Sequence, residues 1–161
     1  AGIPEITDDD GTKVRVICGN FWGQSGPVDG VAAEPQYLDV WVPPGGRRSL
    51  PVETSRHAFA YVFAGSGTFA HASAPVAIRT DRIGSAHGAH GELADNRSLV
   101  VFDSGEEVTI QAGDDGIRFL LVSGKPIQEP VAWHGPIVMN TQDEVRLAFE
   151  EYRAGTFLKH R

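Results

Sequence analysis

The sequence predicts an all-β fold, a sandwich or barrel of short strands followed by a single C-terminal helix. Three observations predict it. Runs of four to eight β-branched and aromatic residues are separated by clusters of Gly, Pro, Asp or Ser along most of the 161 residues. The 19 glycines and 10 prolines are scattered between those runs without a repeat period, as a chain with many turns requires. Only one segment, near the end, repeats apolar residues at helical spacing.

In chain order the strand candidates are Val14 to Cys18, Tyr37 to Val42, Ala58 to Ala64, Thr68 to His71, Val76 to Arg79, Ser98 to Phe102, Val108 to Ala112 and Ile117 to Val122. Successive strand residues point to opposite faces, so two runs can be read in detail. In YLDVWV, Leu38, Val40 and Val42 share one face and Tyr37, Asp39 and Trp41 the other. In HAFAYVFA, Phe59, Tyr61 and Phe63 oppose Ala58, Ala60, Val62 and Ala64. Small residues on one face and aromatics on the other fit a tight barrel wall whose outer side packs against another layer. Gly65-Ser66-Gly67 is expected to turn the chain into a hairpin, because glycine takes positive φ at no steric cost. The loop from Asp81 to Asn96, polar and glycine-rich, is expected to be a mobile surface excursion.

The helix is signalled by Thr141-Gln142-Asp143-Glu144, a capping box in which the Thr hydroxyl accepts from the Glu144 N–H while the Glu144 carboxylate reaches back. Val145, Ala148, Phe149 and Tyr152 then recur on one side, and Gly155 supplies the stop after Arg153.

Gross composition bounds the function. One ordinary domain fits the length, with 41% hydrophobic and 22% charged residues. A net charge of −7 repels phosphate backbones, so direct nucleic-acid binding is disfavoured. The longest apolar stretches are far below the roughly 20 residues that span a bilayer. Cys18 has no partner within the chain, so no internal disulfide forms, and a reducing, cytoplasmic setting is expected. The chain opens on Ala1 without a signal peptide, and its one methionine is Met139; initiator removal, trimming or origin as a fragment each account for this, the last leaving room for an upstream domain.

Six histidines invite a search for a metal centre. His87 and His90 form an HxxH pair near Glu92 and Asp95, but the glycines at 88 and 91 oppose the helix that would bring the rings together. His57 and His71 flank the expected hairpin, where either can point inward; His134 and His160 fall in extended or terminal segments. These four, His57, His71, His87 and His90, are the fallback metal ligands. No GxSxG occurs, and Cys18 sits in an apolar run as a core residue rather than an activated thiol. GSGTFA lacks the third glycine of a phosphate cradle and leads into a strand. Asp8-Asp9-Asp10-Gly11 lacks the later ligands of a calcium loop and reads as a solvated turn. No catalytic residue is assigned.

The stretch Gly124 to Phe157, GKPIQEPVAWHGPIVMNTQDEVRLAFEEYRAGTF, resembles the closing segment of the pirin family. Upstream, KVRVICG, PQYLDVWVPPGG, LPVE and AYVFAGSG are similar to the opening and barrel strands of that family's C-terminal domain, so the resemblance runs from about Pro4 onward. It implies a cupin-type double-stranded β-helix, an RmlC-like jelly roll, over residues 1–123, with a C-terminal extension and helix over 124–161 packing on the barrel or on an absent N-terminal cupin. Pirins are bicupins. The resemblance implies iron, held by three histidines and a glutamate, in an N-terminal barrel absent from this chain, with quercetin dioxygenase activity in some members, and a C-terminal barrel usually without metal. Residues match that placement: after Pro44-Gly45-Gly46, Pro51, Val52 and Glu53 stand near the place of the HxH pair, and Ala58 near that of the glutamate. No histidine lies between His90 and His134 to serve as the late ligand.

Three roles follow as expectations. The first is an accessory domain without cofactor, its segment Glu129 to Thr141 and the helix meeting an N-terminal cupin or a second copy of itself, because PVAWHGPIVMN is apolar and non-alternating. The interface residues are Pro130, Val131, Trp133, Gly135, Pro136, Ile137, Met139 and Asn140. The second is an enzyme using unconventional ligands such as His57, His71 or Glu53. The third is a regulatory partner of other proteins, suggested by the resemblance, with the acidic balance favouring basic protein surfaces.

Overall fold

The computed structural model describes residues 2–70, 76–77 and 93–159. Residues 81–92 of the loop expected from Asp81 to Asn96, and the fallback ligands His71, His87 and His90, lie outside the described residues; near the end of that stretch Leu93–Ala94 forms a short strand rather than a loop, because it pairs with Gly67 and Thr68. Two compact units divide the chain, Ala1–Pro126 and Ile127–Arg161.

The first unit is all β. Its strands are β1 (Glu5–Thr7), β2 (Lys13–Cys18), β3 (Asn20–Phe21), β4 (Gln24–Ser25), β5 (Gln36–Val42), β6 (Arg47–Pro51), β7 (His57–Phe69), β8 (Val76–Ala77), β9 (Leu93–Ala94), β10 (Ser98–Val101) and β11 (Glu107–Gly124). Hydrogen bonding runs in the order β1-β2-β5-β11-β7-β10-β8, while β6 adds to β11 and β9 to β7. Each of these pairings is antiparallel.

Two strands hold this arrangement together. β7 and β11, 13 and 18 residues long, pair along two limbs. On one limb Ile117 to Gly124 faces His57 to Gly65, and on the other Ile110 to Ala112 faces Gly67 to Phe69. Register breaks between Ala112 and Ile117, so four residues of β11 oppose Ser66 alone. Such a bulge bends both strands and carries them from one sheet into the next. The first limb pairs on to β5 and β10, the second to β6 and β9.

The expected hairpin at Gly65-Ser66-Gly67 is therefore not present, because β7 bends there and continues as one strand. For the same reason Val108 to Ala112 and Ile117 to Val122 are one strand and not two. The glycines supply a close crossing rather than a reversal. Gly65 has φ 68°, and a Cβ there would lie 2.0 Å from the Gly116 carbonyl oxygen. Gly116, at φ 76°, would bring a Cβ to 2.8 Å from the Val42 carbonyl oxygen.

Alternation decides what lies inside. Leu38, Val40 and Val42 of β5 are fully buried, as are Ala60 and Val62 of β7. Tyr61 and Phe63 are half-buried on the opposite face and Phe59 is exposed, as the aromatic and small faces of HAFAYVFA require. Phe119 stands at the centre of the interior, its ring edge-on to Phe69 at 5.2 Å. Full burial of each such aliphatic or aromatic side chain stabilises by about 1.5–3 kcal/mol. Cys18 is buried in the same wall. The turn at Asp8 to Gly11 is closed by Gly11 N–H donating to Asp8 O, and Arg48 bridges Asp8 and Asp10, so the acidic cluster is neutralised by a guanidinium.

The second unit holds β12 (Ala132–His134), β13 (Ile137–Met139) and the helix α1 (Gln142–Ala154). Thr141 caps the helix as expected: Glu144 N–H donates to Thr141 Oγ1 at 3.2 Å, and Thr141 N–H to Glu144 Oε2 at 2.8 Å. Gly155, at φ 72°, ends it.

Replacing Gly65 by alanine is expected to destabilise the fold by at least about 2 kcal/mol, since positive φ and backbone collision act together. Urea unfolding followed by circular dichroism measures it. A loss below about 0.5 kcal/mol would mean that the strand crossing tolerates a side chain there.

Candidate functional site

The residues expected to form an interface lie in the second unit, and the hairpin sorts them. Gly135 and Pro136 connect β12 to β13, with Gly135 at φ 56°. A glycine of positive φ followed by proline, whose ring holds φ negative, is what a type II′ turn needs. Trp133 lies directly opposite Val138, and both are exposed, at 70% and 59%. On the other face Ala132 is buried opposite half-buried Met139, and His134 pairs with Ile137.

That other face belongs to the helix. The His134 ring meets Phe149 edge-on at 5.4 Å, while Val145 and Ala148 are buried. Tyr152, expected on the same apolar side, is instead 70% exposed and packs its ring near Phe157. Asn140 has a local role, its Nδ2 donating to Pro130 O at 2.9 Å and Glu129 Oε2 at 3.0 Å. The hairpin thus turns Val131, Trp133 and Val138 outward, an apolar row in water. Val138 was missed by sequence reasoning; its pairing with Trp133 depends on the turn, which a non-alternating run does not advertise.

The positions that the family resemblance likens to a cupin metal centre are in the first unit. Pro51 is exposed at the end of β6, and Glu53 is exposed and paired with Arg56, Nε to Oε2 at 3.1 Å. Ala58 is buried and His57 is exposed at the mouth of β7, opposite Gly124. Proline and alanine offer no donor, and the one carboxylate is held by a guanidinium. Inward-facing positions of the late strand β11 carry Val108, Ile110, Ile117, Phe119 and Leu121. These residues do not fit a transition-metal ion, which needs convergent imidazole, thiolate or carboxylate groups. Among the described residues no three His, Cys, Asp or Glu side chains cluster so as to hold one.

Beside those positions lies a cleft of about 250 Å³, lined by Phe21, Trp22, Gln36, Pro51, Val52 and Arg56 among others. Its polar groups are engaged. Gln36 Nε2 donates to Asn20 O at 2.9 Å, Arg56 donates to Glu34 O and to Glu53, and the Arg48 guanidinium stacks 5.1 Å over the Trp22 ring. Lys125 donates to the Glu34 carboxylate at 2.6 Å, and this hydrogen bond, with the lysine charge, holds that carboxyl below its ordinary range. The arrangement ties loops together and presents no nucleophile with an adjacent base.

The family model for the pirin C-terminal cupin domain matches residues 37–158. The chain belongs to the pirin family. It is similar to a pirin-like protein of Caulobacter vibrioides, 34% identical over 156 residues, covering 96% of this chain and 49% of that protein. It is 29% identical to a candidate quercetin 2,3-dioxygenase of Thermoplasma acidophilum, over 99% of this chain and 56% of that one. Among solved structures, quercetin 2,3-dioxygenase from Acinetobacter baumannii superposes with a TM-score of 0.75 at 22% identity, over 96% of this chain and 47% of that one. That likeness shows a cupin β-sandwich. The pirin chain described here spans about half the length of the curated relatives it matches.

Replacing Val138 by serine is expected to change stability by less than about 0.5 kcal/mol, because its side chain already faces water. Thr141→Ala, which breaks the capping box, is expected to cost about 1 kcal/mol. Thermal unfolding of the two variants side by side checks both; a Val138→Ser loss as large as that at Thr141 would show that the hairpin face is covered.

Proposed function

We propose that this pirin domain is an accessory cupin barrel without a metal of its own, acting beside an iron-binding cupin barrel that this chain does not contain. One observation carries the reading: the positions that the family resemblance likens to cupin ligand places hold Pro51, Glu53 and Ala58, with Glu53 bound to Arg56 and the late strand presenting aliphatic and aromatic side chains. Filling a barrel with packed apolar groups makes it a rigid scaffold rather than a reaction vessel. The outward row of Val131, Trp133 and Val138 supports a docking role, since an exposed apolar patch of this kind marks an interaction site. Of the residues from Pro130 to Asn140 expected at an interface, Val131 and Trp133 stand in this row, while Ile137 and Met139 lie on the other face of the hairpin, toward the helix. Dioxygenase chemistry of the quercetin type then belongs to the other barrel, whose iron would be held by histidines and a glutamate that this chain lacks at those positions.

Elemental analysis of the purified chain tests the reading. Less than about a tenth of an equivalent of iron, nickel, copper or zinc is expected after refolding with each metal, with no turnover of quercetin. A stoichiometric metal that survives gel filtration would contradict it and would point to His57, His71, His87 or His90 as ligands.

A further inference from the structure

A second surface, in the first unit and independent of the hairpin, has the composition of an interface. An antiparallel sheet with one face in the core ordinarily turns polar residues outward. Here the outward face over β11, β7 and β10 is apolar. Leu120 lies in register with Tyr61, and Tyr61 with Leu99; Val122 lies in register with Phe59. Residues directly opposite share a face, so these five form one continuous patch. Leu99, Tyr61, Leu120 and Val122 are half-buried, and Phe59 is 40% exposed.

The β2 and β5 side of the same face carries its charges, Lys13, Arg15 and Asp39, among the aromatic rings of Tyr37 and Trp41. Arg118 Nε and Nη2 donate to Asp39 Oδ1 and Oδ2 at 2.8 and 2.6 Å, and Arg15 Nε donates to Glu5 Oε2 at 2.7 Å. The Arg118 guanidinium also lies 5.1 Å over the Phe63 ring, and Lys13 Nζ lies 5.8 Å from the Trp41 ring.

We propose that this face pairs with the same face of a second copy of the chain, sheet on sheet, about a two-fold axis through the Tyr61–Leu120 seam. An axis there lays the apolar half of one copy on the apolar half of the other and leaves both charged strips at the rim, the anatomy of a specific interface. The strip suits a rim between like-charged molecules. Against the net charge of −7 it offers Lys13, Arg15 and Arg118 beside only Glu5 and Asp39. Size also fits. Five strands about 4.8 Å apart and three pleat rows about 6.8 Å apart give a footprint of about 500 Å² per copy, near the lower bound of about 1,000 Å² in total for a specific interface. An interface of that size suits a weak, reversible dimer.

Sedimentation velocity on the full chain, from about 1 to about 200 µM, tests the proposal. The wild type is expected to pass from monomer to dimer, and Tyr61→Lys and Leu120→Lys each to weaken the dimer at least about tenfold with circular dichroism unchanged. Trp133→Ser is expected to leave it intact. Hydrogen exchange of the wild type provides a reading free of variants: residues 59–61 and 120–122 gain protection as concentration rises. A monomer at every concentration overturns the proposal, as does a dimer that survives both lysine variants and is lost with Trp133→Ser. Neither result alters the metal content, which separates this proposal from the accessory-barrel reading.

Discussion

The crossing of β7 and β11 is the constraint on which the rest of the barrel depends. Both strands belong to both sheets, and they change sheets where Gly65 and Gly116 bring two backbones closer than any side chain allows. The interior follows from that geometry. Because the two limbs share a backbone, Phe69 on the second limb of β7 reaches Phe119 on the first limb of β11, and one core serves both layers. Strands of high sequence separation are brought together by this pairing, Leu50 of β6 and Phe119 of β11 included.

A core of that kind determines what the barrel is able to do. Close-packed interiors leave little room for ligands, and the groups that line this one are methyls, methylenes and rings. Charged groups have been moved to the outside and paired there: Asp39 with Arg118, Glu53 with Arg56, Asp8 and Asp10 with Arg48. Exposed pairs of this sort contribute little to stability singly, and they act here by directing loops and strand ends. Apolar side chains also reach the surface, on the outward sheet face and on the outward face of the hairpin.

Much of the fold was legible in the sequence where the physical signal is local. Period-two alternation in YLDVWV and HAFAYVFA put Leu38 with Val40 and Ala60 with Val62 on shared faces, which are the buried ones, and the Thr141–Glu144 box with Gly155 set both ends of the helix. What was not legible depends on long-range contacts. Gly65-Ser66-Gly67 carries the same residues whether it reverses the chain or lets two strands cross, and only Gly116, far along the sequence, decides between them. Short strands such as β6 and β12 carry too few residues to show a period; β6 exists because β11 is long enough to pair with it. The candidate site was legible as a segment and not as a face, since Trp133 and Val138 come together only across the Gly135-Pro136 turn.

Native-state hydrogen exchange over β7 and β11 tests the shared-strand account most directly. The account predicts that amides on both limbs, those flanking Val62 and Phe119 and those flanking Phe69 and Ile110, open in one cooperative unit with the free energy of global unfolding. Two limbs that exchange independently, each with its own opening free energy, would contradict it.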